Sequence, residues 1–326
     1  MTHGESKKRG IAPIIRWLLL LVIFILPAFV LKSHYLLYLA TLSCVYFISA
    51  SGLNVILGYA GQISLAQAAF MGIGSYTVAL LSPTLSFWLA LPLGGIVAFV
   101  LGLCLGFPSL KVKHHYLAMV TLGFNIIVYL VLTNEQQITG GPYGVFNIAR
   151  PRIGAFKLTS DARYHIVVAV VTFVLMVLLY WALNSQWGRA FKGIRENELR
   201  AEMIGVSLRN YKLAAFAIGS GLAGISGGLL APLLSYIDPT IFVIGFSFQF
   251  LLMVVVGGIG RFEGPFIGTL IVTLMPEVLR IADRLYFVIF AFVAMLIMVF
   301  MPKGSVALWD WLFKKITGKE APQLTK

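Results

Sequence analysis

Residues 188–212 read GRAFKGIRENELRAEMIGVSLRNYK, and they form the densest run of charge in a chain that is otherwise strongly apolar. Only 11% of the 326 residues are charged, whereas 59% are hydrophobic. Apolar segments of membrane-spanning length lie on both sides of this run. Because charged side chains are costly in lipid, we expect the run to stand in water between two membrane-embedded halves.

The same run has the features of a short helix with both ends marked. Asn197 is a suitable N-cap, and Glu198 places negative charge in the first turn. Leu199 and Met203 share one face at positions i and i+4, and Gly205 is a suitable C-terminal stop. We therefore predict that this helix is a docking element for a soluble partner. The alternative is that the run is an ordinary solvated basic loop.

The composition identifies the class of protein. A mean hydropathy of +0.92 excludes a soluble globular domain, and only helices or closed barrels satisfy the backbone in lipid. The apolar runs lack the alternation of barrel strands. The net charge of +13 comes without a basic and aromatic patch, so we assign it to the positive-inside rule rather than to nucleic-acid binding. Cys44 and Cys104 lie in apolar runs and predict no disulfide framework and no metal site.

The sequence therefore predicts an all-α polytopic membrane protein. The ten predicted spans lie near 13–31, 35–57, 64–82, 86–108, 115–133, 163–183, 211–234, 242–257, 264–281 and 285–301. This number places both termini and the 184–210 loop on one side, where most Lys and Arg residues then lie. The third and ninth spans are short enough to be half-membrane helices. The predicted organisation is a basic N-terminal segment (1–16), a transmembrane domain (17–301) containing the loop 184–212, and a basic C-terminal tail (302–326).

A second segment, residues 51–81, reads SGLNVILGYAGQISLAQAAFMGIGSYTVALL and interrupts a hydrophobic span with glycines and polar side chains. Polar groups within a bilayer should face protein or a water-lined cavity, and interrupted segments of this kind indicate a transport path. Ser64 is a candidate cap for a half-helix. Glycine-mediated helix packing is an equally weighted alternative. The candidate path residues are Asn54, Gln62, Ser64, Gln67 and Tyr76.

Small residues recur every four positions in three places, which predicts close helix packing. The first seam is in the fourth span, the second in the seventh, and the third just before and within the ninth. We expect Ile or Leu at Gly102 or Gly224 to force helices apart. The seams comprise Gly94, Ala98, Gly102 and Gly106; Ser220, Gly224 and Gly228; and Gly260, Gly264 and Gly268.

Several segments together resemble the LivM-type permeases, which are membrane subunits of ABC importers. They are residues 188–231, residues 51–81, TGGPYG at 139–144 and VVVGGIGRFEGPFIG at 254–268. The resemblance implies a type II-like ABC importer permease fold. It also implies that the charged loop carries a coupling helix that sits in a cleft of the ATPase subunit. The coupling positions carried over are Arg189, Arg195, Glu196, Asn197, Glu202 and Gly205.

The resemblance also implies where the protein resides and which subunits it assembles with. It predicts a multi-pass protein of the bacterial cytoplasmic (inner) membrane, with both termini cytoplasmic and a lipid bilayer around it. The implied partners are a LivH-type permease subunit, two ABC ATPase subunits of LivG/LivF type and a periplasmic substrate-binding protein. The chain lacks a GxxxxGK[ST] motif, so we expect no ATPase activity and no cofactor of its own, ATP being bound by the partner subunits.

The external loop contains a Gly- and Pro-rich segment on the side where a binding protein would dock. Its candidate docking residues are Thr139, Gly140, Gly141 and Pro142, and a purely structural turn is the competing interpretation.

The substrate is less defined than the class of transporter. Relatives often carry Gly-Asp where this chain has His114 and His115, and Glu and Arg where it has Ile126 and Tyr129. Branched-chain or related amino acids are the expected substrates, with urea, short amides and aromatic acids as alternatives. A stand-alone secondary transporter would need ionisable groups inside its spans, and almost none are present. Neighbouring histidines on a helix point in different directions, so we predict no metal site there.

Overall fold

The computed structural model of the chain describes residues 21–31, 33–109, 114–153, 156–157 and 160–279. The basic N-terminal segment, the first part of the first predicted span, the tenth predicted span and the C-terminal tail lie outside the described residues.

Apolar sequence dictates a helical architecture, and the described residues are mostly helical. The helices are α1 (Leu21–Val30), α2 (His34–Leu53), α3 (Gln67–Leu81), α4 (Phe87–Ser109), α5 (His114–Asn134), α6 (Gln136–Thr139), α7 (Asp161–Asn184), α8 (Gln186–Glu196), α9 (Glu198–Met203), α10 (Leu208–Leu234), α11 (Ile244–Gly257) and α12 (Gly264–Leu279). Four two-residue strands, β1 (Val145–Phe146), β2 (Arg152–Ile153), β3 (Phe156–Lys157) and β4 (Tyr236–Ile237), pair antiparallel as β1 with β4 and β2 with β3.

Five of the described helices, α2, α4, α5, α7 and α10, are long and apolar enough to cross a membrane. They coincide with the spans predicted at 35–57, 86–108, 115–133, 163–183 and 211–234, so helices of spanning length are confirmed at these positions. Shorter apolar helices include α3 and α11. The 15 residues of α3 extend about 22 Å, less than the ~30 Å hydrocarbon core of a bilayer, as expected for a half-membrane helix.

The helix α10 lies at the centre, and glycines allow neighbouring helices to approach its backbone closely. A Cβ atom at Gly52 of α2 would lie 2.6 Å from the carbonyl oxygen of Gly219, and a Cβ at Gly219 would lie 2.6 Å from that of Gly52. A Cβ at Gly74 of α3 would overlap the carbonyl group of Gly224. Such approaches exclude side chains and replace them with backbone contact.

The predicted seams of α4 and α10 face each other. A Cβ atom at Gly224 would lie 2.5 Å from Cβ of Ala98 and 2.7 Å from the carbonyl oxygen of Gly94, and a Cβ at Gly102 would overlap Ser220. Both seams are therefore confirmed as packing surfaces.

The third seam is only partly correct. Gly264 and Gly268 pack against Gly257 and Met253 of α11, where added Cβ atoms would meet backbone. Gly260 instead lies in the turn before α12 with a φ of +78°. The turn requires this backbone conformation, so the spacing at Gly260 does not reflect helix packing.

Contacts between distant segments fall at two opposite ends of α2. At what we call the Arg195 end, Arg195 of α8 and Gly260 of the α11–α12 turn meet Gly58. At what we call the Tyr35 end, Tyr35 donates a hydrogen bond to Glu277 of α12, and β1 pairs with β4 beyond the end of α10. Therefore α7, α10, α11 and α12 run between the two ends in alternating directions.

We predict that Gly224→Ala destabilises the purified protein in detergent by about 1–3 kcal/mol, because the new Cβ atom has no room against α4. Gly123→Ala is the matched control, since a Cβ atom there meets nothing within 4 Å, and replacing a helical glycine should gain up to about 1 kcal/mol. Equal thermal unfolding midpoints for the two variants would contradict the packing described.

Candidate functional site

The chain breaks between α2 and α3. After Leu53, α2 continues as a π-helical turn, Asn54–Tyr59, and the chain is irregular until α3 begins at Gln67. The side-chain amide of Gln67 donates to the carbonyl oxygen of Ser49 at 2.7 Å. Ser49 lies ten residues before the end of the π-helical turn, so α3 begins about 15 Å along the helix from that end. The half-helix therefore starts inside the protein.

A helix that begins in the interior exposes backbone N–H groups that need acceptors. Side chains from other helices supply them: Thr121 and Asn125 of α5 and Ser247 of α11. All three side chains are buried. The bonds run from the backbone amides of Leu65, Ala69 and Ala68 to Thr121, Asn125 and Ser247 at 2.9, 2.9 and 3.0 Å, respectively.

The prediction that Ser64 caps this helix is wrong. The N-cap position is Ala66, which has no side-chain oxygen. Ser64 is buried in the preceding turn, where its hydroxyl accepts a 3.4 Å bond from the amide of Ala66. The acceptors come from elsewhere in the fold, and nothing in the sequence near Ser64 indicates them.

Four of the five predicted path residues, Gln62, Ser64, Gln67 and Tyr76, lie along the break and α3, and all four are buried. Three of their polar atoms, Oε1 of Gln62, Oε1 of Gln67 and the hydroxyl of Tyr76, have no hydrogen-bond partner among the described residues. Because an unsatisfied buried polar group costs about 1–3 kcal/mol, these atoms are suited to bind water or a polar ligand.

The fifth predicted path residue, Asn54, is placed differently. Its side-chain nitrogen donates to the carbonyl oxygen of Arg261 at 2.8 Å, and its side-chain oxygen accepts from the amide of Gly260 at 2.9 Å. Both ends of the amide are therefore occupied by the backbone of the α11–α12 turn.

The charged loop contains one helix that the sequence analysis did not identify, α8. Ser185 caps it, accepting from the amide of Trp187 at 3.2 Å. Phe191 and Ile194 are buried, and the rings of Trp187 and Phe191 pack edge-on against Tyr211 of α10 at centroid distances of 5.2 and 6.0 Å. The spacing of these apolar residues was the available signal.

The second helix of the loop, α9, matches the prediction. The Asn197 side chain accepts from the amide of Arg200 at 3.0 Å. At the other end Gly205 has a φ of +84°, and the amide of Val206 donates to the carbonyl oxygen of Ala201 at 3.0 Å, as in a Schellman motif. An ion pair between Glu198 and Lys212 at 2.7 Å ties α9 to α10.

The apolar face of α9 points away from the protein. Leu199, Met203 and Ile204 are 71%, 79% and 80% exposed, and we call these three residues the α9 face. Three large apolar side chains in solvent on a capped helix are typical of an interaction surface.

The predicted coupling residues do not form one cluster. Arg189, Glu196 and Glu202 are exposed, as expected for a surface that meets a partner. Arg195 is also exposed as a whole, but its guanidinium group reaches the end of α2, where it donates to the carbonyl oxygen of Gly58.

The predicted external docking segment is a tightly folded turn. Gly140 and Gly141 have φ values of +75° and +59°. Thr139 is buried, and its hydroxyl donates to the carbonyl oxygens of Leu132 and Glu135, both at 2.7 Å. Pro142 is exposed at the tip of the turn. Of the four predicted docking residues, this places Pro142 outermost.

At the Tyr35 end lies a charged cluster that the sequence did not indicate. Asp161 at the start of α7 pairs with Arg150 at 2.6 Å and with His34 of α2 at 2.9 Å. These side chains line a cavity of about 370 Å³ together with Tyr35 and Tyr164. The cluster ties the long loop before α7 to the start of α2, and its members are too far apart in sequence to form a motif.

We predict that Ser247→Ala lowers the free energy of unfolding in detergent by about 1–3 kcal/mol, because the buried amide of Ala68 loses its acceptor. The control is Ser43→Ala. Within the described part of the chain, the buried Ser43 hydroxyl bonds only to the Leu39 carbonyl of its own helix, so its loss should cost about 1 kcal/mol or less. Similar losses for both variants would argue against capping by α11.

The sequence of this chain is similar to the sequences of known transport permeases. Residues 35–300 match the family described as "Branched-chain amino acid transport system / permease component". The permease protein LivM of the high-affinity branched-chain amino acid transport system of Escherichia coli K12 is 33% identical over 291 residues, which cover 82% of this chain and 68% of that protein.

More distant relatives include both kinds of Liv permease. A probable LivM of Methanocaldococcus jannaschii is 29% identical over 236 residues, 67% of each chain. The LivH permease of Salmonella typhimurium is 26% identical over 253 residues, 71% of this chain and 80% of that protein. No solved structure matches the chain significantly. The family match covers most of the sequence, and the chain therefore belongs to the branched-chain amino acid transport permease family.

Proposed function

We propose that this protein is the membrane permease subunit of an ATP-driven ABC importer for branched-chain or related amino acids, residing in the bacterial inner membrane. It forms half of the translocation path, and partner subunits bind and hydrolyse ATP. The partners are a LivH-type permease, two ATPase subunits and a periplasmic binding protein. The observation that carries this proposal is the exposed α9 face, held on a capped helix beside the broken span.

We further propose a topology of ten spans in which the Arg195 end is cytoplasmic. The alternating directions of α7, α10, α11 and α12 support this assignment. Adding the predicted spans at 13–31 and 285–301 then places both chain termini in the cytoplasm. The charged residues of α8 and α9 also lie at this end, in agreement with the positive-inside rule.

The translocation path runs along α3 in this proposal. Gln62, Ser64 and Gln67 lie toward its cytoplasmic end, and Tyr76 lies farther toward the outside. The three buried polar atoms without described partners support this assignment, because hydroxyl and amide groups can bind the polar ends of an amino acid in passage. Asn54 has a structural role in this scheme, since its amide is fully used by the α11–α12 turn.

The companion permease subunit packs against α5. Only 22% of the most apolar window of α5 is buried within the chain, the smallest fraction among the five long helices. Ile126 is exposed on this helix. Tyr129 is half-buried. Ile126 and Tyr129 are two of the positions where this sequence departs from the family pattern, and in this proposal they lie near the surface where the two halves of the path meet.

At the outer end, the binding protein docks on the turn around Pro142. Thr139 and Gly141 are buried and shape this turn from within. Tyr143 follows Pro142 and is 76% exposed, so it extends the docking surface beyond the four predicted residues.

We predict that Met203→Asp abolishes co-purification of the ATPase subunits with the membrane-extracted protein, because a charge on the α9 face cannot enter an apolar cleft. Tyr143→Asp is the matched control, with a similarly exposed side chain at the opposite end, and should retain the ATPase subunits. Retention by both variants would exclude the α9 face as the docking site.

The transport function itself is tested with the complete complex in proteoliposomes. We expect ATP-dependent uptake of leucine, isoleucine and valine in the presence of the binding protein, and no uptake without ATP. Urea and phenylalanine serve as competitors that distinguish the alternative substrates. Uptake by this chain alone, without ATP, would replace the proposal with a secondary transporter.

A further inference from the structure

The broken end of α2 has an acceptor that its own helix does not satisfy. The last carbonyl groups of a helix lack intrahelical donors. In the π-helical turn, the amide of Ala60 donates to Val55 at 3.0 Å and that of Gln62 to Ile56 at 2.9 Å. The carbonyl oxygen of Gly58 receives its bond from the Arg195 guanidinium group. Arg195 therefore acts as a C-terminal cap supplied by a different helix, with a charge of the sign that a helix C-terminus favours.

Gly260 makes room for this arginine, and Gly61 packs against its side chain. A Cβ atom at Gly61 would lie 3.4 Å from Cγ of Arg195 and 3.7 Å from its Cβ. A Cβ atom at Gly260 would overlap the guanidinium group and lie 2.6 Å from the Gly58 carbonyl oxygen. Both glycines have positive φ values, +69° and +78°. The arginine thus lies in a slot between the end of α2 and the α11–α12 turn.

The two sides of this slot, the end of α2 and the α11–α12 turn, are hydrogen-bonded to each other. Asn54, four residues before Gly58, bonds through both ends of its amide to the backbone of Gly260 and Arg261. A displacement of Arg195 therefore acts on the end of α2 and on the start of α12 together.

The α9 face lies close to Arg195 along the chain. Arg195 lies in the last turn of α8, and Asn197 is the N-cap of α9. Only two residues, Glu196 and Asn197, therefore separate Arg195 from the docking helix. The Glu198–Lys212 ion pair and the buried side chains of Phe191 and Ile194 hold α8 and α9 against α10. Resting on the proposed function, we infer that Arg195 is the positioning residue through which movement of α8 and α9 reaches the broken helix and the α11–α12 turn.

If Arg195 transmits movement and does not hold the ATPase subunits, its loss should lower coupled transport and leave the subunits bound. In the reconstituted complex, Arg195→Ala leaves the ATPase subunits bound but lowers the amount of leucine transported per ATP hydrolysed by at least about tenfold, the factor expected from losing one hydrogen bond to a charged group. Arg195→Lys, which keeps the charge and one donor, recovers part of the ratio. Lys192→Ala removes the same charge from the same helix and leaves the ratio unchanged.

The possible outcomes are distinct. Loss of the ATPase subunits in Arg195→Ala, as expected for Met203→Asp, would make Arg195 a docking residue and overturn the inference. A wild-type transport ratio with bound ATPase subunits would overturn it as well. If the wild-type chain itself binds no ATPase subunits, the proposed function fails instead. Thermal unfolding of each variant, measured beside Arg195→Lys, shows whether a lost ratio comes from an intact complex.

Discussion

The structure depends on one constraint, which is that every backbone polar group inside a bilayer must find a partner within the protein. The chain breaks between α2 and α3, and the break exposes carbonyl groups on one side and amide groups on the other. Arg195 serves the carbonyl of Gly58, while Thr121, Asn125 and Ser247 serve the amides at the start of α3. The helices that supply these groups are thereby fixed around the break, and the buried polar atoms nearby acquire their position from it.

The central position of α10 follows from a different physical cause. Between apolar helices in lipid, close packing replaces the hydrophobic effect as the source of association. The glycines of α10 bring its backbone against α2, α3 and α4, as the reciprocal 2.6 Å approach of Gly52 and Gly219 shows. The result is a tightly packed group around the break, with the lightly packed α5 outside it.

Much of this structure could be predicted from the sequence. The features that could not be predicted depend on contacts between residues far apart in the chain. Hydropathy and the length of the apolar runs predicted the five long helices. The residues Asn197 and Gly205 predicted both ends of α9, because helix caps act within a few residues of each other. The cap of α3 was assigned wrongly to Ser64, since its acceptors lie about 55 and 180 residues away in sequence. The bond from the Arg195 guanidinium group to the Gly58 carbonyl oxygen was missed for the same reason. A basic residue in a polar loop gives no sign that a distant glycine, Gly260, leaves room for its guanidinium group.

The capping of α3 by later helices has a consequence for how the protein is made. During synthesis α3 emerges well before α5 and long before Ser247 of α11, so its first amides have no acceptors when it reaches the membrane. A half-helix in that condition gains nothing from entering the hydrocarbon alone. Insertion of the 60–81 segment is therefore expected to be completed late, after most of the chain has entered the bilayer. For this segment the expected order of assembly therefore differs from its order in the chain.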